Sequence, residues 1–325
     1  MNVFNYLKVA GLVIAGTIII ALLPMPLLAD RGGSSQAAAK PKVFFTRDIS
    51  AEGLKKLYAL INQELSGKIA VKLHTGEPNG PYIIKPDLVK EFMSVIPNST
   101  IVETNVFYES PRQTTEGHME TLKTNGWTFA PVDIMDAEGD VNLPVPGGKW
   151  FKEIAMGKNL LNYDSMLVLT HFKGHTMGGF GGSLKNIGIG CASGQVGKKQ
   201  LHQAGDQPWG HTGERFMENM VESGKAITSH FGSKMAYINV MNNMSVDCDC
   251  TGTSATPPTL ADIGILASTD ILAIDQASVD MLYALPEEER RHLVERIESR
   301  QGLRQLSYME EMDMGSREYD LIIID

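Results

Sequence analysis

The sequence predicts an α/β fold with a largely parallel sheet and helices on both of its faces, built as a single large domain, compact or bilobal. Three observations carry this. Helical and strand periodicities alternate from Pro41 onward, the pattern of a parallel sheet wound with crossover helices. The run Ser165-Met166-Leu167-Val168-Leu169-Thr170 is apolar without alternation between Met166 and Leu169, as a strand covered on both faces must be. Finally, no internal repeat and no second linker divides the chain, so residues 42–325 count as one domain.

The elements follow in order. Residues 52–65 place Leu54, Leu57, Tyr58, Ile61 and Leu65 on one helical face. Residues 68–74 form a short β run, closed by a turn-rich loop with Pro78, Asn79, Gly80 and Pro81. A helix is expected over 86–96, with strands over 100–107, 131–135, 165–170, 235–240, 263–267 and 319–324. Pro286, followed by Glu287, Glu288 and Glu289, opens a helix with acids at its positive dipole end. That helix reads as a solvated face.

Composition narrows the function. The 325 residues are 43% hydrophobic and 21% charged, with a formal net charge of -9. An acidic chain with no basic run and no zinc-finger spacing is not expected to bind nucleic acid. Lys8, the uncharged residues 9–23 and Ala29 read as a secretory signal peptide cut after Ala29, or as an uncleaved anchor, since residues 9–29 could span a bilayer. Residues 30–41 read as a flexible linker. On either reading the body is exported, periplasmic or held on the outer side of the cytoplasmic membrane, and it meets membrane only through residues 9–29 if these are retained. Cysteines number three: Cys191, Cys248 and Cys250. The last two stand one residue apart, too close for an ordinary disulfide, so free thiols are expected.

The chemistry concentrates in residues 170–202. In open α/β sheets ligands collect at the carboxyl ends of strands, and the strand 165–170 ends at His171-Phe172-Lys173-Gly174-His175. The two histidines would lie roughly 13 Å apart on an extended chain and share a metal only if Gly174 turns it back. Gly178, Gly179, Gly181 and Gly182 then allow close backbone approach to a ligand. A helix starting near Ser183 would offer free N–H groups to a small anion, with Lys185 adding charge and Asn186 beside it. Neither a P-loop nor a dinucleotide fingerprint is present. Cys191 reads as a small packed residue. The segment Asp247-Cys248-Asp249-Cys250 could bind a soft or borderline metal.

The block His171-Phe172-Lys173-Gly174-His175, Gly178 to Gly182 with Lys185-Asn186, Gly190-Cys191-Ala192-Ser193 and Gly197-Lys198 with His202 resembles domain-of-unknown-function family 362. Its members are often labelled iron–sulfur centre proteins. Further family-like stretches are Val71-Lys72-Leu73-His74, Glu103-Thr104-Asn105-Val106-Phe107-Tyr108 and Asp247 to Cys250, so the likeness covers roughly residues 42–325. Cluster-bearing members carry a four-cysteine ferredoxin insert after the Gly-Lys…His segment. Residues 208–234 hold no cysteine here, so a ferredoxin-type 4Fe-4S cluster is not expected. His175, the glycines, Lys185 and His202 are also similar in order and spacing to the core of nickel-pincer lactate racemases. That resemblance implies Lys185 as the attachment point of a cofactor, His202 as a nickel ligand and His175 as an acid/base.

Three readings result. The first is a protein with a transition metal or metal cofactor, extending to an enzyme on a small carboxylate. Here His175 and Lys185 are catalytic, Gly179, Gly181, Gly182, Lys185 and Asn186 hold the cofactor, and His171, His175, His202, Cys248 and Cys250 bind metal. The second is a non-enzymatic protein for a small anionic ligand. An iron–sulfur electron carrier, the third, is disfavoured by the cysteine count.

Overall fold

The computed structural model describes residues 39–325; the leader and most of the linker lie outside them. Residues 40–325 form one compact unit. Its strands are β1 (Lys42–Thr46), β2 (Ile69–Lys72), β3 (Ser99–Glu103), β4 (Val132–Ile134), β5 (Asp140–Pro144), β6 (Glu153–Gly157), β7 (Ser165–His171), β8 (Lys173–His175), β9 (Gly179–Gly181), β10 (Met235–Met241), β11 (Gly264–Ser268) and β12 (Asp320–Ile323). The helices are α1 (Ala51–Ile61), α2 (Pro86–Met93), α3 (Thr115–Thr124), α4 (Ser183–Gly190), α5 (Gly197–His202), α6 (Gly213–Phe231), α7 (Ile271–Tyr283), α8 (Glu287–Ser299) and α9 (Arg304–Glu311).

Eight strands make the main sheet in the order β12-β1-β11-β10-β7-β2-β3-β4. All neighbours are parallel except β11, which runs antiparallel to both β1 and β10. The fold class is therefore the α/β architecture expected. Side chains alternate across the sheet, as the two-residue strand period requires. Val71, Leu167, Leu169 and Ile238 pack with Leu54, Leu57, Phe92 and Trp127 on one side. On the other, Ala70, Met166, Val168 and Leu266 pack with Leu184, Val221 and Ile274. The uninterrupted apolar run of β7 has its cause here, since all seven of its residues are buried. Among the described residues no helix is long and apolar enough to cross a membrane.

Boundaries shift where tertiary contacts decide. The strand expected to run to Phe107 stops at Glu103, because Thr104 and Asn105 turn out of the sheet: the Thr104 hydroxyl donates to the Ala192 carbonyl at 2.9 Å and the Asn105 N–H donates to Asp136. The glycine-rich stretch after β7 is a buried hairpin, β8 paired with β9 through Lys173–Gly181 and His175–Gly179. Gly179 sits at φ +76° against Gly302 and Ile297, where a side chain would meet backbone. Its glycine serves packing against the α8–α9 turn.

Candidate functional site

Strand order places the site. From β2 the chain winds outward through β3 and β4, whereas β7 and β10 lie on the opposite side. The switch point falls between β2 and β7, and ligands bind beyond the carboxyl ends of strands at such points. A cavity of about 460 Å³ opens there, lined from β2 by Lys72 and from the loop after it by His74, from β3 by Glu103, and from β7 by Thr170 and His171. Lys173 and His175 of the hairpin, Lys185 and Asn186 of α4, Lys198 and His202 of α5, Arg112, Trp209 and Cys250 complete the wall.

Lys185 is the group without a partner. It is 7% exposed and faces the cavity, and its ammonium forms no hydrogen bond or ion pair among the described residues. Burial, and then the neighbouring Lys173 charge, push its pKa down to about 7. A large fraction is thus a neutral amine at physiological pH, the reactive form of lysine.

The histidines divide by what their rings touch. His202 directs Nδ1 to the Lys198 carbonyl at 2.7 Å, so Nδ1 carries the proton and Nε2 keeps its lone pair. Burial lowers its pKa to about 4, with the Lys198 and Lys185 charges also lowering it against the raising effect of that bond. The ring stands among Phe107, Trp209 and Phe216. An oriented neutral imidazole with a free nitrogen is the usual form of a metal ligand. In His175, Nδ1 instead accepts from Gly178 N–H at 2.8 Å and Met177 N–H at 3.3 Å. Its neutral ring therefore carries hydrogen on Nε2, and burial followed by the Lys185 and Lys173 charges holds its pKa well below the ordinary value.

His171 departs from the expected role. Its Nδ1 lies 3.0 Å from Asp249 and its Nε2 2.7 Å from the Asn242 carbonyl, so both nitrogens face acceptors and neither is left for a metal. Burial alone would raise the Asp249 carboxyl, but the adjacent His171 and Lys173 outweigh it and hold it well below the carboxylate range. Asn186 is likewise consumed inside the fold. Its amide donates to Lys72 O, Leu169 O and Thr170 Oγ1, and its oxygen accepts from Lys72 Nζ at 3.0 Å, tying α4 to β2 and β7.

The helix from Ser183 forms as expected, but its N-terminus is already filled. Asp275 of α7 accepts from the Ser183 and Leu184 N–H groups at 2.7 and 2.9 Å and from the Asn239 amide at 2.9 Å. A side chain at Gly182 would collide with that carboxylate, which is why glycine stands there. Gly181 and Gly182 both line the cavity, Gly181 beside the Lys185 stem. The anion attracted to this helix end is the chain's own. Asp275→Ala would strand two buried N–H groups and the Asn239 amide, and is expected to cost about 2–4 kcal/mol, measured as a lowered urea midpoint with unchanged slope.

Cys248 and Cys250 are paired in a disulfide with Cα atoms 5.1 Å apart, against the expectation of free thiols. The extended Cys248 runs directly into a 3-10 turn at Asp249, and this brings both side chains to one side. Such a small ring removes only ~1.6 kcal/mol of unfolded-chain entropy, where a long loop would remove several. Cys191 stays free and buried, its thiol pushed by burial up to about 12. Among the described residues, one set of three His, Cys, Asp or Glu ligand atoms lies within 4.8 Å of one another: His175, Cys248 and Cys250.

The sequence reading missed much of the wall's charge. Glu103 accepts from Lys72 at 2.9 Å, Arg112 at 3.3 Å, and Thr75 N–H at 2.9 Å. Lys198 is held by Thr104 Oγ1, the Asn105 carbonyl and the Ala192 carbonyl, all neutral, while Asp136 and Glu103 act on its charge from beyond hydrogen-bond reach. A lysine inside the buried strand Ile69-Ala70-Val71-Lys72 and an aspartate inside the apolar start of α7 were the available signals. Arg112, in a short turn, gave none.

The family described as "Domain of unknown function (DUF362)" matches residues 69–280, and the chain belongs to it. No curated protein matches. The lactate racemase apoprotein from Thermoanaerobacterium thermosaccharolyticum is 14% identical, with a TM-score of 0.42 over 73% of this chain and 56% of that one. A structural-genomics protein from Thermotoga maritima is 14% identical, with a TM-score of 0.35 over 59% of this chain and 50% of that one. This chain thus spans about half the length of either.

Proposed function

Starting from membership in a family that names no activity, we propose that the protein holds a metal-bearing cofactor in the β2–β7 cavity and uses it on a small carboxylate. Lys185 would be the covalent attachment point and His202 the metal ligand. The observation that carries this reading is the Lys185 amine, which is buried, unpartnered, partly neutral near pH 7 and directed into the cavity. A structural lysine would be paired, as Lys72 and Lys173 are. His202 fits the second role because its Nδ1–H is fixed and Nε2 is free. A bound transition metal would supply Lewis-acid or electron-accepting character at this wall.

The chain's own groups do the rest. His175 offers an Nε2–H able to donate to a substrate oxygen or to exchange a proton, since its Nδ1 is committed to backbone donors. Lys198, which forms no ion pair among the described residues, makes the wall attractive to a carboxylate. Phe107 and Trp209, 5.1 Å apart, form an aromatic rim beside His202. Exported placement is part of the same proposal and rests on residues 1–29 alone. The reading as a plain anion-binding protein loses its main support, because Asp275 fills the α4 N-terminus.

Protein purified from its own organism tests this. Peptide mapping should find a mass increment on Lys185, and elemental analysis one transition metal per chain that is lost in Lys185→Ala and His202→Ala. An unmodified Lys185 with no metal in the native protein would overturn the reading.

A further inference from the structure

We infer that Cys248 and Cys250 form a redox-gated site for a soft, thiophilic cation of the monovalent-copper class, on the wall of the cavity that holds Lys185 and His202 but with ligands of its own. Both sulfurs and a ring nitrogen of His175 lie within 4.8 Å of one another. Two thiolates so placed select soft cations over magnesium or calcium. Cys250 opens on the cavity while Cys248 lies buried behind it, so the site has one mouth. The sulfurs are also held in place. Asp249, between them, is clamped by His171 and Lys173, and Thr251 N–H donates to the Cys248 carbonyl at 2.9 Å. His175 adds a neighbouring ring whose Nδ1 lone pair is now held by two backbone N–H groups.

The disulfide is the closed state of this site. It joins residues two apart and so contributes little to stability, which leaves its chemistry as its use. Closure by thiol–disulfide exchange with a low-molecular-weight disulfide balances as follows. Two cysteine S–H bonds break and one S–S bond forms between Cys248 and Cys250. The oxidant's S–S bond takes the electron pair and both protons, leaving as two thiols. From the cation-loaded dithiolate the same exchange breaks the bonds to the cation, which leaves, and the oxidant's two thiolates take their protons from water.

The test is an anaerobic titration of the full chain with Cu(I) against a chromophoric chelator, before and after reduction with a phosphine. The reduced protein is expected to bind one equivalent roughly a hundredfold more tightly than the oxidised protein. That binding should be lost in Cys248→Ser and in Cys250→Ser but kept in Cys191→Ser. Lys185→Met should also keep it, which distinguishes this site from the cofactor centre proposed above. Equal binding in both redox states, full binding by Cys250→Ser, or a pair that alkylates identically before and after reduction would each overturn the inference. Because Cys248 is buried and Cys248→Ser could disturb the fold, the oxidised wild-type protein supplies a second comparison that needs no substitution.

Discussion

Lys185→Met is expected to make the fold more stable at pH 6 to 7 while abolishing cofactor attachment and any activity that depends on it. Methionine matches the lysine stem in shape but carries no charge to bury. The sign follows from linkage. The folded-state pKa of about 7 lies below the unfolded value near 10.4, so the unfolded chain binds more protons between these limits and this group makes stability rise with pH across them. Below pH 7 the buried ammonium opposes folding by several kcal/mol, on the order of 3–5, and methionine removes that opposition. Urea unfolding at pH 6 and pH 9 would give the check: the advantage of the variant over wild type should shrink at the higher pH. A variant less stable than wild type at pH 6 would mean that the ammonium has a partner in solution. In wild type, amine labelling of Lys185 should show a midpoint near 7 rather than above 10. Such an arrangement trades stability for reactivity at one position, a pattern common to functional sites.

Glu103→Gln is the second large effect, and it is structural. The carboxylate is shared by Lys72 and Arg112 within 3.3 Å, all three side chains being nearly fully buried. Burial alone would raise the Glu103 pKa, but Lys72, Arg112 and His118 outweigh it and bring it to about 2. An amide leaves the buried Lys72 without its counter-charge and Arg112 with Glu77 alone, and is expected to cost about 3–5 kcal/mol. The pH dependence has the same sign as that of Lys185, stability rising with pH, but it falls in an acid window, because each group binds its proton less readily in the folded chain. The stabilisation is complete above the unfolded glutamate pKa near 4.3 and is lost as pH falls toward 2. Wild type should therefore lose stability steeply between pH 4 and 2, and the variant should show a shallower acid limb from a lower starting point. Thermal melts across pH 2 to 7 would test both features.

How much of this was legible beforehand depended on range. Helix and strand positions came from local periodicity, and the block from His171 to His202 did line one cavity, because consecutive segments β7, β8, β9, α4 and α5 leave a single strand end together. The roles inside that block were a different matter. His171 and His175 look alike in sequence, yet one is spent on Asp249, 78 residues away, and the other keeps an N–H for the cavity. The glycines look alike too, yet Gly179 serves packing, Gly181 lines the wall beside Lys185, and Gly182, on the same wall, makes room for Asp275.

The sequence by itself determined the α/β class, the buried central strand and the segment that faces the ligand, since hydrophobic period and turn residues act over a few positions. Tertiary structure alone decided which charges are used up. A carboxylate, a guanidinium and an ammonium find partners wherever burial makes an unpaired charge costly, at any separation along the chain. Lys185 stands out only after every other buried cation has been matched to its acceptors.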